Sequence, residues 1–315
     1  MKTHPTIIAC AALVALSVSA FITPNAIAVD EGWTVSFAEA KAQAAKEGKS
    51  ILMEFTGSDW CPPCKALRKN VFMSEVFKAE APKAFILLKL DNPNDKSDQS
   101  LEEQAQFRKL APRYKLTSYP TIILADAEGR PYHMQKGYSN TPAKAFLANL
   151  TGKSTVLAER NEFLSKADQA EGAERAKLLD QAISLIDSEL AISTYSDTVK
   201  EIIKLDADGT AGLKVKYESA LQVGEIKAAL AEIQGGLRNS TPEKAIAKVD
   251  KLIEEKKPTG AGLQEVLFFK SLIIFRSGDK PAAQKLLEEA RTAAPETEKA
   301  TEINGILERV FDVKK

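Results

Sequence analysis

The hydrophobic pattern of this chain changes its period once, near Gly152, and that change limits the folds open to it. Upstream of it, short apolar runs of strand length alternate with segments of helical spacing. Residues 37–46 read as a helix stopped by Gly48, and Ile51-Leu52-Met53-Glu54-Phe55 as a buried strand. Ser74 is placed to cap a helix reaching about Ala81, and residues 85–90 form a second apolar strand. A polar loop over 91–100 leads to a helix at 101–111, and a third strand covers 119–125. Asp126-Ala127-Glu128-Gly129 reads as a hairpin turn into a fourth strand at 130–136. Residues 142–150 close the unit as a helix with Pro142 in its first position. Beyond Gly152 only helical spacing remains. It is broken near Glu171-Gly172, Ile192-Ser193, 206–209, 235–240, 257–260, Ser277-Gly278 and Pro295. The pattern predicts an α/β unit followed by an all-α one.

Charge excludes some partners. The 315 residues carry 43 basic and 43 acidic side chains, with a pI near 6.8, so nothing in the balance draws the chain to nucleic acid or an anionic membrane. The first 28 residues differ from the rest. Lys2 and His4 precede an apolar run over 7–22, and Ala26-Ile27-Ala28 supplies the small-x-small pattern of a signal-peptidase site. The expectation is a signal peptide over 1–28, cleavage before Val29, and an exported protein, periplasmic or secreted, with no membrane span after cleavage. A retained anchor is the weaker alternative, because the run falls short of the ~20 residues a spanning helix needs. Lipidation at Cys10 is weaker still, since that cysteine precedes most of the apolar run.

Removal of Cys10 would leave Cys61 and Cys64 as the only thiols. They stand two residues apart in Trp60-Cys61-Pro62-Pro63-Cys64, on the turn between the 51–55 strand and the next helix. A disulfide closing so small a ring would stabilise little as a staple. Zinc needs about four ligands, and His133 is the one histidine left, so no metal and no cofactor are expected. Redox exchange suits the pair best. A thiolate at a helix start meets free N–H groups and the positive end of the helix dipole, and a thiol one turn along can resolve a mixed disulfide.

Residues 52–65, Leu52-Met53-Glu54-Phe55-Thr56-Gly57-Ser58-Asp59-Trp60-Cys61-Pro62-Pro63-Cys64-Lys65, resemble the active-site segment of exported bacterial thioredoxin-like proteins. Ser118-Tyr119-Pro120-Thr121-Ile122-Ile123-Leu124 resembles their cis-proline strand, and 126–129 with Lys136-Gly137-Tyr138 match the hairpin and glycine that follow. The strand–helix–strand, hairpin, helix order is likewise that of the thioredoxin fold. The resemblance covers about 120 residues and implies a thioredoxin-like domain over 29–152. One departure is the loop over 92–100, longer than in minimal thioredoxins.

The resemblance assigns roles. Cys61 is the expected nucleophile and the more exposed of the pair; Cys64 is the resolving thiol. Pro62 and Pro63 tune the pair by removing two N–H groups, which leaves the Cys64 amide as the nearest donor to Cys61. With no charged residue inside the motif, the Cys61 thiol is expected nearer the value of thioredoxin (~7) than of a strong oxidase (~3.5). Glu54 stands where these proteins keep a buried acid that serves the second cysteine, displaced by one residue. Its alternatives are a solvent-facing side chain or a pairing with Lys89. Pro120 is the expected cis-proline, leaving the Tyr119 backbone free to pair with a substrate strand. Trp60 is either an apolar platform beside the dithiol or plain packing. His133 reads as structural, and Asp206-Ala207-Asp208-Gly209 as a turn between helices, its other calcium-ligand positions being wrong.

Within the helical half, Ile274, Gly278, Ala283, Leu287, Ala290 and Pro295 are similar in spacing to a tetratricopeptide hairpin, with a fainter echo in Ala245, Val249 and Leu252. Residues 153–315 are therefore expected to form a tetratricopeptide-like helical domain, with an irregular bundle as the alternative for its first half. The functional expectation is an exported protein-disulfide oxidoreductase, reductase or isomerase rather than strong oxidase. Its partners would be a disulfide-bearing protein, a redox partner that resets the dithiol, and a possible protein on the helical domain. The rival is a helical-repeat binding scaffold or redox sensor with little turnover.

Overall fold

The computed structural model describes residues 32–237 and 240–313. The predicted signal peptide lies outside them. In chain order the first part contains β1 (Trp33–Thr34), α1 (Phe37–Glu47), β2 (Ser50–Thr56), α2 (Pro62–Leu67) running into a π-helical turn (Arg68–Phe72), α3 (Glu75–Ala84), β3 (Phe85–Asp91), α4 (Leu101–Arg113), β4 (Thr121–Ala125), β5 (Pro131–Lys136) and α5 (Ala143–Thr151). The second part is helical: α6 (Ser154–Ala167), α7 (Gly172–Ser184), α8 (Ser188–Thr194), α9 (Ser196–Leu205), α10 (Leu213–Gly236), α11 (Pro242–Lys256), α12 (Gly260–Arg276), α13 (Lys280–Ala293) and α14 (Glu298–Phe311).

The five strands form one sheet in the order β1-β3-β2-β4-β5. β1, β3 and β2 are parallel, whereas β4 runs antiparallel to β2 and β5 antiparallel to β4. Side chains alternate between the faces of a strand, so register assigns each core residue. Ile51, Met53 and Phe55 face one side with Ile86, Leu88, Leu90 and Ile123, under α1 and α4. Leu52, Phe85, Leu87, Ile122 and Leu124 face the other, with Leu67, Val71, Phe72, Phe77 and Phe146. Glu54 has the parity of Leu52 and therefore sits on the face covered by α2.

Local signals place most helix ends. Ser36 and Ser74 accept the amide hydrogens of Glu39 and Phe77, and Gly48 ends α1 in the left-handed region. Ser100 and Glu103 form a reciprocal capping box at α4. Several expectations need correction. β4 begins at Thr121 rather than Tyr119, because the 119–120 segment turns away from the β2 ladder. Pro142 is the N-cap of α5, not its first residue; its ψ of 146° is extended. The expected continuous helix from 172 to 192 is split, because the Asp187 carboxylate caps the Leu190 amide and starts a new helix. The break expected at Ile192-Ser193 falls at Tyr195 instead. β1 was not anticipated, since two residues carry no period to read.

One core extends past Gly152. The cluster under α1 and α4 continues through Ala167, Ala176, Leu179, Ile183, Leu190, Tyr195 and Ile202 to Tyr217. Separate clusters join α10 with α11 and α12, and α12 with α13 and α14. The hairpin from Gly260 to Ala293 buries Ala283, Leu287 and Ala290, three of the positions singled out by spacing.

Candidate active site

β2 ends in a tight turn that delivers the two cysteines. The amides of Trp60 and Cys61 both donate to the Gly57 carbonyl, at 3.3 and 2.9 Å. Gly57 is required here by space: a Cβ would lie 2.3 Å from the Trp60 indole. Cys61 is the N-cap of α2 in an extended conformation, and Pro62 and Pro63 open the helix where missing N–H groups cost nothing. The Cys64 amide donates to Cys61 Sγ at 3.2 Å. The two sulfurs are joined as a disulfide with the Cα atoms 5.3 Å apart.

Both cysteines are buried, Cys61 3% and Cys64 1% exposed, so Cys61 is the more exposed of the pair only by a small margin. The turn folds the Cys61 side chain back over the first amide of α2, so that bonded sulfur and capping sulfur are one atom. Access to Cys61 in this oxidised form is therefore narrow.

Glu54 is buried, 2% exposed, opposite Lys89 on one neighbouring strand and Ile122 on the other. Burial raises its carboxyl to about 7, against the lowering pull of Lys89, a Thr56 hydrogen bond and Arg68. Lys89 pairs with Asp91 at 3.4 Å. A carboxyl poised near neutrality on the α2 face can exchange a proton in either direction.

Trp60 and Tyr119 form the rim. Their rings meet edge to face with centroids 5.1 Å apart, and Trp60 is 39% exposed. Tyr119 stacks in turn on Phe107, which packs on Phe55. The Tyr119–Pro120 peptide bond is cis, and the Pro120 carbonyl accepts the Gly137 amide at 2.8 Å. Candidate residues from four segments thus lie toward one end of the sheet: Glu54 near the end of β2, Trp60 to Cys64 in the turn and α2, Tyr119 and Pro120 before β4, and Gly137 after β5.

The loop after β3 belongs to the site, and spacing alone did not show it. The Asn92 amide donates to the Thr56 carbonyl at 2.9 Å, the Ser58 amide to Asp91 Oδ1 at 3.0 Å, and the Trp60 indole to the Asn92 carbonyl at 2.8 Å. The residues outside this group take other parts. His133 is half-buried on β5, and burial with Lys153 nearby lowers its imidazole to about 4. Asp206 accepts the amides of Ala211, Leu213 and Lys214 and so ties the turn before α10. Among the described residues no group of three or more His, Cys, Asp or Glu is arranged to hold a metal ion, and no helix is long and apolar enough to cross a membrane.

Residues 32–127 match a family model described as thioredoxin-like. The chain is 34% identical over 95 residues to the Disulfide bond reductase DsbH of Chlamydia pneumoniae, a match covering 30% of this chain and 57% of that protein. It is 28% identical over 132 residues to the Thiol:disulfide interchange protein DsbD of Pseudomonas fluorescens, covering 40% of this chain and 21% of that one. A solved structure titled DsbH Oxidoreductase aligns at 25% identity with a TM-score of 0.36, covering 40% of this chain and 88% of that chain. The chain thus spans little more than half of the first curated relative, and less of the second. Its first part is a thioredoxin-like α/β domain, followed by a long helical region.

Proposed function

We propose that the chain is an exported thiol–disulfide oxidoreductase that reduces or exchanges disulfides in proteins. The observation that carries the proposal is the Cys61–Cys64 disulfide at the start of α2, on the sheet face that buries Glu54. The matched relatives named as a disulfide reductase and an interchange protein support the same chemistry.

In the reduced chain the Cys61 thiolate attacks one sulfur of a substrate disulfide and expels the other as a thiolate, which takes a proton. Cys64 then loses its proton to the Glu54 carboxylate and attacks Cys61 Sγ. The mixed disulfide breaks, the second substrate sulfur leaves as a thiolate that takes a proton from solvent, and the two cysteines end as the disulfide seen here. Two electrons have passed to the substrate, and a reduced dithiol partner must return them. Run backwards, the same steps oxidise a substrate. The absence of charge between the cysteines favours the reducing or isomerising direction. Tyr119 supplies backbone for a substrate strand and Trp60 an apolar wall beside it.

In this reading residues 1–28 are removed on export, 29–152 carry the chemistry and 153–315 recruit a protein partner. The helical-repeat scaffold reading rests on α10–α14, which hold two cores apart from the one that includes the sheet. Trapping with Cys64→Ser separates the two. The oxidoreductase reading expects substrate proteins to accumulate as mixed disulfides on Cys61 and to be released by reductant. Capture that persists in Cys61→Ser and resists reductant would establish the scaffold reading instead.

A further inference from the structure

The long loop after β3 is fastened to the dithiol turn by one side chain whose role is otherwise unassigned. Asp59, immediately before Trp60, accepts the Asn94 amide with both carboxylate oxygens, at 3.0 and 2.8 Å, and the Asp95 amide at 3.0 Å. These donors hold its carboxyl below the usual carboxylate range. Its own carbonyl accepts Lys65 Nζ at 2.6 Å, tying the same residue to α2. Two residues back along the loop, the Asn92 carbonyl holds the Trp60 indole N–H at 2.8 Å, and Lys96 Nζ donates to Asn92 Oδ1 at 2.7 Å. The indole is thereby confined between the loop, the bare Cα of Gly57 and the edge of Tyr119.

A side chain that is 39% exposed and held from three sides is preorganised for contact. An unclamped tryptophan at a loop tip would lose rotamer freedom each time a partner docked. We infer that Asp59 is a positioning residue for substrate: by pinning the 92–95 loop it fixes the Trp60 indole against Tyr119 as the wall that receives a protein chain beside the dithiol. Asp59 touches neither sulfur, so it acts through Trp60 and not on the exchange itself. This inference rests on the oxidoreductase reading for its substrate, but the clamp can be observed without turnover.

The test compares the full chain with Asp59→Ala and Asp59→Asn by two readouts. The first is exchange of the Trp60 indole N–H with solvent, followed by NMR; Trp33 is buried and serves as the internal control. Asp59→Ala is expected to speed Trp60 exchange roughly tenfold as the loop opens locally, with Trp33 unchanged and Asp59→Asn intermediate. The second is reduction of insulin disulfides with a dithiol regenerating the enzyme. Here KM is expected to rise about tenfold in Asp59→Ala while kcat stays within about threefold, the signature of lost docking rather than lost chemistry. Unchanged indole exchange overturns the clamp. Faster exchange with unchanged KM, or a fall in kcat as large as the rise in KM, overturns its role in docking. A wild-type chain that cannot reduce insulin counts against the oxidoreductase reading and against docking, and the indole exchange then decides the clamp alone.

Discussion

Glu54 couples the site to stability through one proton. Its carboxyl is raised from 4.5 to about 7 in the fold by burial, so the native state holds the proton more tightly than the unfolded chain. The associated stability is fully present below about pH 4.5 and is lost as pH rises through about 7. Glu54→Gln removes this dependence. Unfolding with denaturant across pH should show the variant level with wild type near pH 4.5 and more stable by roughly 3 kcal/mol above pH 7. The same variant should slow release of a trapped mixed disulfide on the order of 100-fold, since Gln cannot take the Cys64 proton. A flat difference in stability across that range would mean that Glu54 is not held protonated by burial. The acid in an apolar strand was legible from sequence. Its burial was expected from the resemblance alone, because parity within a strand names two faces without saying which one a helix covers.

At the scale of elements, the β4–β5 hairpin depends on one glycine. Gly129 has φ +78°, its amide closes the turn on the Asp126 carbonyl, and its carbonyl accepts the Tyr114 hydroxyl at 2.7 Å. A Cβ there would stand 2.5 Å from Phe37 Cζ on α1. Gly129→Ala adds backbone strain to that overlap and is expected to cost about 1–3 kcal/mol, read as a lowered thermal midpoint. Gly57→Ala acts on the site instead. It should displace Trp60 from Tyr119, which the loss of near-ultraviolet circular dichroism from the exposed indole would report; an unchanged spectrum would show that the turn absorbs the extra methyl. The hairpin was readable from four residues of turn chemistry, whereas the split of α7 from α8 was missed. The Asp187 cap sits inside an unbroken helical period, which gives no sign of whether a side-chain cap or the continued helix will win.

For the whole molecule the decisive residue is Arg160 on α6. It is fully buried, and its guanidinium donates to Asp126 at 2.8 Å, to the Tyr195 hydroxyl at 2.7 Å and to Asn161. The Tyr195 hydroxyl in turn donates to the Pro131 carbonyl at 2.7 Å, and Ser193 donates to the Arg113 carbonyl at 2.9 Å. Helices α6, α8 and α9 are thereby bonded to the hairpin and to α4, and their apolar faces share one core with the sheet. Removing Arg160 leaves the buried Asp126 with fewer donors. Arg160→Ala should therefore destabilise by about 3–5 kcal/mol. A chain ending at 152 should bind an apolar dye and unfold with reduced cooperativity, because the surface of β5 and α4 covered by α6 and α8 is opened to water. Full stability of that shorter chain would show the two parts to be independent.

The sequence alone determined what short-range physics controls: the strand and helix periods, most caps, the hairpin turn, the dithiol at a helix start and the glycine stops. These follow from side-chain parity and from backbone groups that must find partners within a few residues. Only the tertiary structure decided which face buries Glu54, that both cysteines are covered, that a loop thirty residues downstream grips Trp60, and that the first helices after Gly152 complete the core of the sheet. Each of those depends on groups distant in sequence competing for burial, and no local pattern records the outcome of that competition.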